Sequence, residues 1–402
     1  MADLIQSLYL DSSATCPLKP GVVEAMTSVW STAWGNPSSV HHEGLQAVEV
    51  LERARLRIAD SFDAVPNDVI FTSGATESVH LAILGMAASL QPGRIVISAV
   101  EHPAVTAAAQ ALQRTGWEVT QWPVDSLGRI KLSELNRMLS PPTRLVSVIW
   151  GQSEVGTLQP IQTVGAACAR QGIPFHTDAT QVVGQGCPMW SKLSADLLSA
   201  SAHKFGGPKG VGLLLTREGV RERLEPIHGG GGQEQGYRAG TQPVALIEGM
   251  AKALEQSTRW TPEDGPDDAG QHSSADANPT IRTSRDALLD QMLQDPRLIL
   301  TGDPHWRLPH HISVMAHNSK GDPLSGRALV RELATRHISV SSGSACSSGK
   351  DSGSSVLAAM GMAPAQQRAG LRLTLGGWIQ QHHHQQVVDA LKESLNALDE
   401  AR

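Results

Sequence analysis

The residues of this 402-residue chain best suited to chemistry share one kind of place, just beyond short β-rich runs. Thr76 follows Val69–Thr72, His102 follows Arg94–Ser98, Ser153 and Glu154 follow Thr143–Trp150, Asp178 and Gln181 follow Ile173–Thr177, and His203 and Lys204 follow Asp196–Ser199. Ligands of open α/β sheets bind beyond the carboxyl ends of strands, so five such ends predict one shared site. Phe71–Ser78 (FTSGATES) passes from strand to helical pattern through Gly74, which offers free backbone N–H groups at a helix start to a phosphate. Ser201, His203 and Thr241 add donors of the same use.

Lys204 closes a buried strand, where desolvation lowers an ammonium pKa and favours an amine able to form a Schiff base. Asp178 ends a strand of the same sheet and could keep a pyridine nitrogen protonated. Lysine, carboxylate and phosphate cup together are what a pyridoxal phosphate electron sink requires. A P-loop is excluded, because Gly349-Lys350 is mis-spaced from Gly343 and followed by Asp351. Gly229–Gly236 is no dinucleotide fingerprint either, with Gln235 where a third glycine would stand.

The elements that must position these groups follow a βαβ rhythm from about residue 66 to 216. Leu45, Val48, Leu51, Ala54 and Ile58 put one apolar face on a helix over about 42–60. Thr261–Pro279, rich in Pro, Gly, Asp and Ser, reads as a linker or insertion, and Ser341–Ser355 as a mobile Ser/Gly loop around Cys346. After the linker come a helix over Ile281–Leu293 and strands near Leu298–Leu300, His311–Met315 and Leu371–Thr374. The predicted fold is α/β, with a large domain over 16–255 built on a mostly parallel mixed sheet flanked by helices. A smaller α+β domain takes 1–15 and 280–402, and 256–279 connects the two.

Composition narrows the function class. Hydrophobic residues at 40% supply a sizeable core, and a net charge of -6 without a Lys/Arg run removes the footprint nucleic-acid binding needs. No apolar stretch reaches the ~18 residues of a membrane span, and Met1–Leu10 lacks a secretion signal, so a cytoplasmic setting is expected. Cys16, Cys168, Cys187 and Cys346 form no C-x-x-C pair, and His310-His311 and His382–His384 lack metal-ligand spacing, so no metal site is expected. The histidine triplet reads as a solvated helix start.

The chain resembles the pyridoxal-phosphate-dependent cysteine desulfurases of the class V aminotransferase group. The resemblance runs through Tyr9-Leu10-Asp11 with Ala14-Thr15, Gly35–Ser39 with His41, Thr72–Ser78, Glu101-His102, Glu154-Val155-Gly156 and His176–Gln181. It continues through Ser201–Lys204, Gly207–Gly210, Gly230–Thr241, Ser341–Gly349 and Leu371–Gly376. It implies that Lys204 bonds the cofactor, Asp178 pairs with its ring nitrogen, Gln181 contacts its hydroxyl, and His102 stacks on the ring and shuttles protons. Ala75, Thr76, Ser201 and His203 would hold the phosphate, joined by Thr241 from the partner of a homodimer, with Ser153 also against the cofactor. Arg372 would clamp the L-cysteine carboxylate, with Asn36 and Ala14 near the substrate. Cys346 stands where the family has its sulfur-accepting nucleophile, which a Ser/Gly loop could swing from substrate to acceptor.

The implied activity converts L-cysteine to L-alanine and passes a persulfide sulfur to an iron–sulfur scaffold or another acceptor protein. Selenocysteine lyase or another class V lyase or aminotransferase is the alternative, with a degenerate sulfur-transfer platform behind it. Gln152 and Ser153 replace two asparagines usual in the family, His80 stands where Asn is common, and Gly377 where Arg is.

Overall fold

The computed structural model describes residues 7–262, 278–343 and 353–400. Its main sheet has seven strands: β1 (Val69–Thr72), β2 (Arg94–Ser98), β3 (Glu118–Trp122), β4 (Thr143–Ile149), β5 (Phe175–Asp178), β6 (Leu197–Ser201) and β7 (Gly212–Thr216). They lie in the order β1-β7-β6-β5-β4-β2-β3. β7 runs antiparallel to both neighbours and every other pairing is parallel, which is the mostly parallel mixed sheet the sequence predicts. Helices cover both faces, so the inner strands β5 and β6 are buried at every position. One face packs Val96, Val146, Val148, Phe175 and Leu198 against the helices His42–Ser61, Ile161–Gln171 and Val244–Leu254. The other packs Ile95, Ile97, Leu145 and Leu197 against helical turns over Ala75–His80 and Pro103–Gln113. Each fully buried Val, Leu or Ile in these layers contributes about 1.5–3 kcal/mol.

A second sheet of four antiparallel strands, β8 (Leu298–Leu300), β9 (His311–Ala316), β10 (Ser341–Ser342) and β11 (Gly370–Thr374), has the order β8-β9-β11-β10. Its core includes Leu288, Ile312, Val314, Leu329, Leu373 and Leu391. The N-terminal segment belongs here locally, because Leu8–Tyr9 pairs in parallel with Ile338–Ser339 and Thr374 N donates to Leu10 O at 2.8 Å.

Several expectations need correction. β3 is not among the β-rich runs expected from the sequence, because its residues, all but Trp122 at least partly exposed on a sheet edge, make no solid apolar run. The loop predicted from Ser341 opens instead as strand β10, paired with Leu371 and Arg372, and Ser355 starts a helix over Ser355–Ala359. Cys346 lies outside the described residues. His382 does begin the last helix, but His384 is 1% exposed and its Nε2 meets Ser284 Oγ at 3.0 Å, so the triplet is not wholly solvated. Within the expected linker, Arg259–Trp260 pairs with Cys187–Pro188, and most of the rest lies outside the described residues. Among the described residues no helix is long and apolar enough to cross a membrane.

Candidate active site

At the carboxyl ends of β1, β2, β4, β5 and β6 the structure opens a cavity of about 570 Å3. Ala14, Ala75, Thr76, His102, Ser153, Asp178, Gln181, Ser201, His203 and Lys204 all line it, so ten of the residues singled out in the sequence come together. β1 ends at Thr72 and the helix Ala75–His80 starts three residues later. Gly74 between them has φ 153°, and its Cα side faces Ser201, where an added Cβ would sit 3.5 Å from Oγ. His203 shares this end of the cavity, its Nδ1 3.2 Å from Thr15 Oγ1. Burial and then the neighbouring Lys204 and Lys209 push the His203 pKa down to about 4, so its ring is neutral at pH 7.

The floor comes from β5. Asp178, its last residue, is 5% exposed, and its Oδ1 accepts from Thr180 N at 3.0 Å, Thr180 Oγ1 at 2.5 Å and Ser199 Oγ at 3.4 Å. Lys204 ends the single 3-10 turn Ala202–Lys204 that follows β6. Its Nζ donates to the carbonyls of Ser13 at 2.6 Å and Ala14 at 2.9 Å. Gln181 Nε2 donates to the same Ser13 carbonyl at 3.0 Å. His102 caps the helix Pro103–Gln113, with Nδ1 accepting from Ala104 N at 3.2 Å.

Groups that the sequence reading left without a role brace this arrangement. Glu101 Oε1 accepts from Ser98 N, Ser98 Oγ and Ile149 N at 3.2, 2.7 and 2.7 Å, tying the ends of β2 and β4 together beside His102. Burial pushes its pKa up to about 8 against those hydrogen bonds. The segment 11–16 straps the small sheet to the cavity: Asp11 Oδ1 pairs with Arg372 Nη2 at 2.7 Å, Ser13 Oγ meets His310 Nε2 at 3.1 Å, and Cys16 N donates to His203 O at 2.9 Å. Lys209 also lines the cavity. The alternation of His176 with Asp178 on one strand was a period-two signal that could have marked His176 from sequence.

Not every expected residue meets the cavity. Arg372 is not in its lining, yet its Nη1 donates to the carbonyl of Ser153, which is. Asn36 and Thr241 line a separate cavity of about 250 Å3 beside Trp30 and Trp34, which are 57% and 70% exposed. Gln152 is spent on local structure, its Oε1 accepting from Glu154 N and Val155 N, so Ser153 alone faces the cavity from that pair. Burial pushes the other thiols up, Cys16 to about 11 and Cys168 and Cys187 to about 12, so none of the three is a thiolate at pH 7.

Comparison with known proteins places the chain among characterised relatives. The family model described as aminotransferase class-V matches residues 8–376. The chain is 37% identical over 373 residues to "Cysteine desulfurase IscS" of Methanosarcina thermophila, covering 92% of this chain and 87% of that protein. It is 35% identical to the mitochondrial cysteine desulfurase of Saccharomyces cerevisiae, covering 98% of this chain and 76% of that one. Among solved structures, a "NifS-like protein" superposes with a TM-score of 0.83 at 30% identity, covering 98% of this chain and 99% of that chain. Another, titled "SspA in complex with cysteine", gives 0.76 at 30% identity, covering 92% and 99%.

Proposed function

From the premise that the chain belongs to the class V aminotransferase family, in its cysteine desulfurase group, we propose that it converts L-cysteine to L-alanine and carries the sulfur away on Cys346. The observation that carries this reading is one cavity holding a lysine amine, a strand-end carboxylate and a glycine-opened helix start. Pyridoxal 5'-phosphate is the cofactor these residues fit. Ala75, Thr76, Ser201 and the neutral His203 would hold its phosphate, and Asp178 keeps Oδ2 without a hydrogen bond among the described residues while Oδ1 is fully engaged. A cavity of about 570 Å3 lies within the size range of small-molecule sites, roughly 300–1,000 Å3. When bound, the cofactor supplies an electron sink for a carbon that has lost a proton.

The chain's own residues do the remaining work. Lys204 would hold the cofactor and would serve as the base that takes the Cα proton. The Asp178 carboxylate would hold a proton on the ring nitrogen, and Gln181, anchored through Ser13, would contact the ring hydroxyl. Arg372, a planar two-pronged cation, suits a substrate carboxylate. The Cys346 thiolate attacks the substrate sulfur: an S–S bond forms, the C–S bond breaks, and its electron pair stays on carbon, which gains a proton to become the methyl group of alanine.

The family resemblance implies a homodimer, in which Thr241, lying in the second cavity and not the first, would complete the partner's phosphate cup. The sulfur then passes to an iron–sulfur scaffold or another acceptor protein in the cytoplasm. The test is alanine release with a reductant present: the wild type turns over many times, and Cys346→Ala stops. Full activity of Cys346→Ala would remove the persulfide step.

A further inference from the structure

Four polar side chains, Asp178 among them, line up on one face of the main sheet. Ser147 of β4 stands opposite His176 of β5, and Ser199 of β6 opposite Asp178. Ser147, His176 and Ser199 are each 0% exposed, so no bulk water completes their hydrogen bonds. His176 Nδ1 lies 2.9 Å from Ser147 Oγ and its Nε2 3.2 Å from Ser199 Oγ, while Ser199 Oγ donates to Asp178 Oδ1 at 3.4 Å.

Proton counting fixes the direction of this row. An ionised carboxylate only accepts, so the single Ser199 proton goes to Asp178, and toward His176 the Ser199 oxygen must accept. Nε2 therefore carries a proton. Burial pushes the His176 pKa down to about 4 although Asp178 opposes it, so the ring is neutral, Nδ1 is an acceptor, and Ser147 is its donor. Every donor in the row points toward Asp178. In the other neutral tautomer Ser199 would turn to Nε2 and Asp178 would lose a hydrogen bond.

We propose that His176 is a positioning residue that, as its Nε2–H tautomer, locks the Ser199 hydroxyl onto Asp178 Oδ1, fixing the orientation of that carboxylate and leaving Oδ2 for the ring nitrogen. The inference rests on the reading of Asp178 as the cofactor's partner, but its first test needs neither cofactor nor turnover. In full-length protein with 15N-labelled histidine, the resonance lost in His176→Gln identifies the residue. The expected pattern is a neutral Nε2–H ring, unchanged from about pH 6 to about pH 9. An Nδ1–H ring, or one that titrates in that range, overturns the proposal whatever the enzyme does.

The second test uses the loaded enzyme. A glutamine amide can present a donor near the place of Nε2, and a leucine cannot. His176→Leu should shift the visible band of the bound cofactor and lower kcat about threefold to tenfold with KM little changed, the scale of one hydrogen bond. His176→Gln should restore most of both. Equal losses in the two variants, or a His176→Leu enzyme with normal band and kcat, would show that the imidazole only fills space.

Discussion

The floor and the side wall of the cavity solve the burial of polar groups in different ways. On the floor, strand register sets Ser147, His176, Ser199 and Asp178 against one another, and each has a partner. Behind the wall, outside the cavity lining, where the N-terminal strap and the small sheet meet the main sheet, Glu154 Oε1, His310 Nδ1, His311 Nδ1 and Arg372 Nε are buried without partners among the described residues. Arg307 is in the same position, with Nε and Nη1 unpartnered and burial pushing its pKa down to about 9. Such atoms cost about 1–3 kcal/mol each. A ladder fixed within one sheet can pair its polar side chains, whereas a junction between two sheets inherits no register. On the proposed function, the floor would hold the cofactor and the wall would carry Arg372 toward the substrate.

Breaking the floor should have the largest effects. Lys204→Ala should lower alanine formation by about a thousandfold or more, since the base and the covalent anchor go together. Measured turnover within tenfold of wild type would move the base elsewhere. Asp178→Asn keeps the shape but loses the fixed negative charge, and kcat should fall about a hundredfold. An unaffected kcat would detach the ring nitrogen from this residue.

The wall should answer differently. Arg372→Lys retains a charge but loses the two-pronged geometry, so KM for L-cysteine should rise about tenfold with a smaller change in kcat. Steady-state kinetics showing a fall in kcat alone would place Arg372 with the floor. Its ion pair with Asp11 is part of the same test, because losing the strap's anchor would also disturb Lys204 through Ser13.

The smallest effect concerns stability. Glu101 has a folded pKa of about 8, above its unfolded value near 4.5. The sign follows from proton uptake: the folded chain holds this proton more tightly, so the contribution is complete below about pH 4.5 and is lost as pH rises toward about 8. The slope is at most about 1.4 kcal/mol per pH unit for one group. Denaturant unfolding across that window should therefore show Glu101→Gln gaining on the wild type as pH rises, and parallel curves would deny the raised pKa.

Much of the floor was legible because strand ends in an α/β rhythm collect ligand groups, and Asp178, Lys204 and Thr76 could be placed by counting strands. Ser147 and Ser199 were not, since which residues face each other across β4, β5 and β6 depends on a register the sequence does not print. The wall was harder still. Asp11 and Arg372 lie 361 positions apart, and the buried His310 and His311, edge to face at 83°, looked like any paired histidines in the sequence. Asn36 was expected near the substrate and Thr241 at the partner's phosphate cup; in the single chain both lie in their own cavity beside exposed tryptophans.

The central claim is that Lys204, at the end of β6, anchors the cofactor. Protein reconstituted with pyridoxal phosphate, reduced with borohydride to make the linkage permanent, then digested and sequenced by mass spectrometry, should carry the pyridoxyl group on Lys204. A label on Lys209, the other lysine lining the cavity, or on none, would contradict the account.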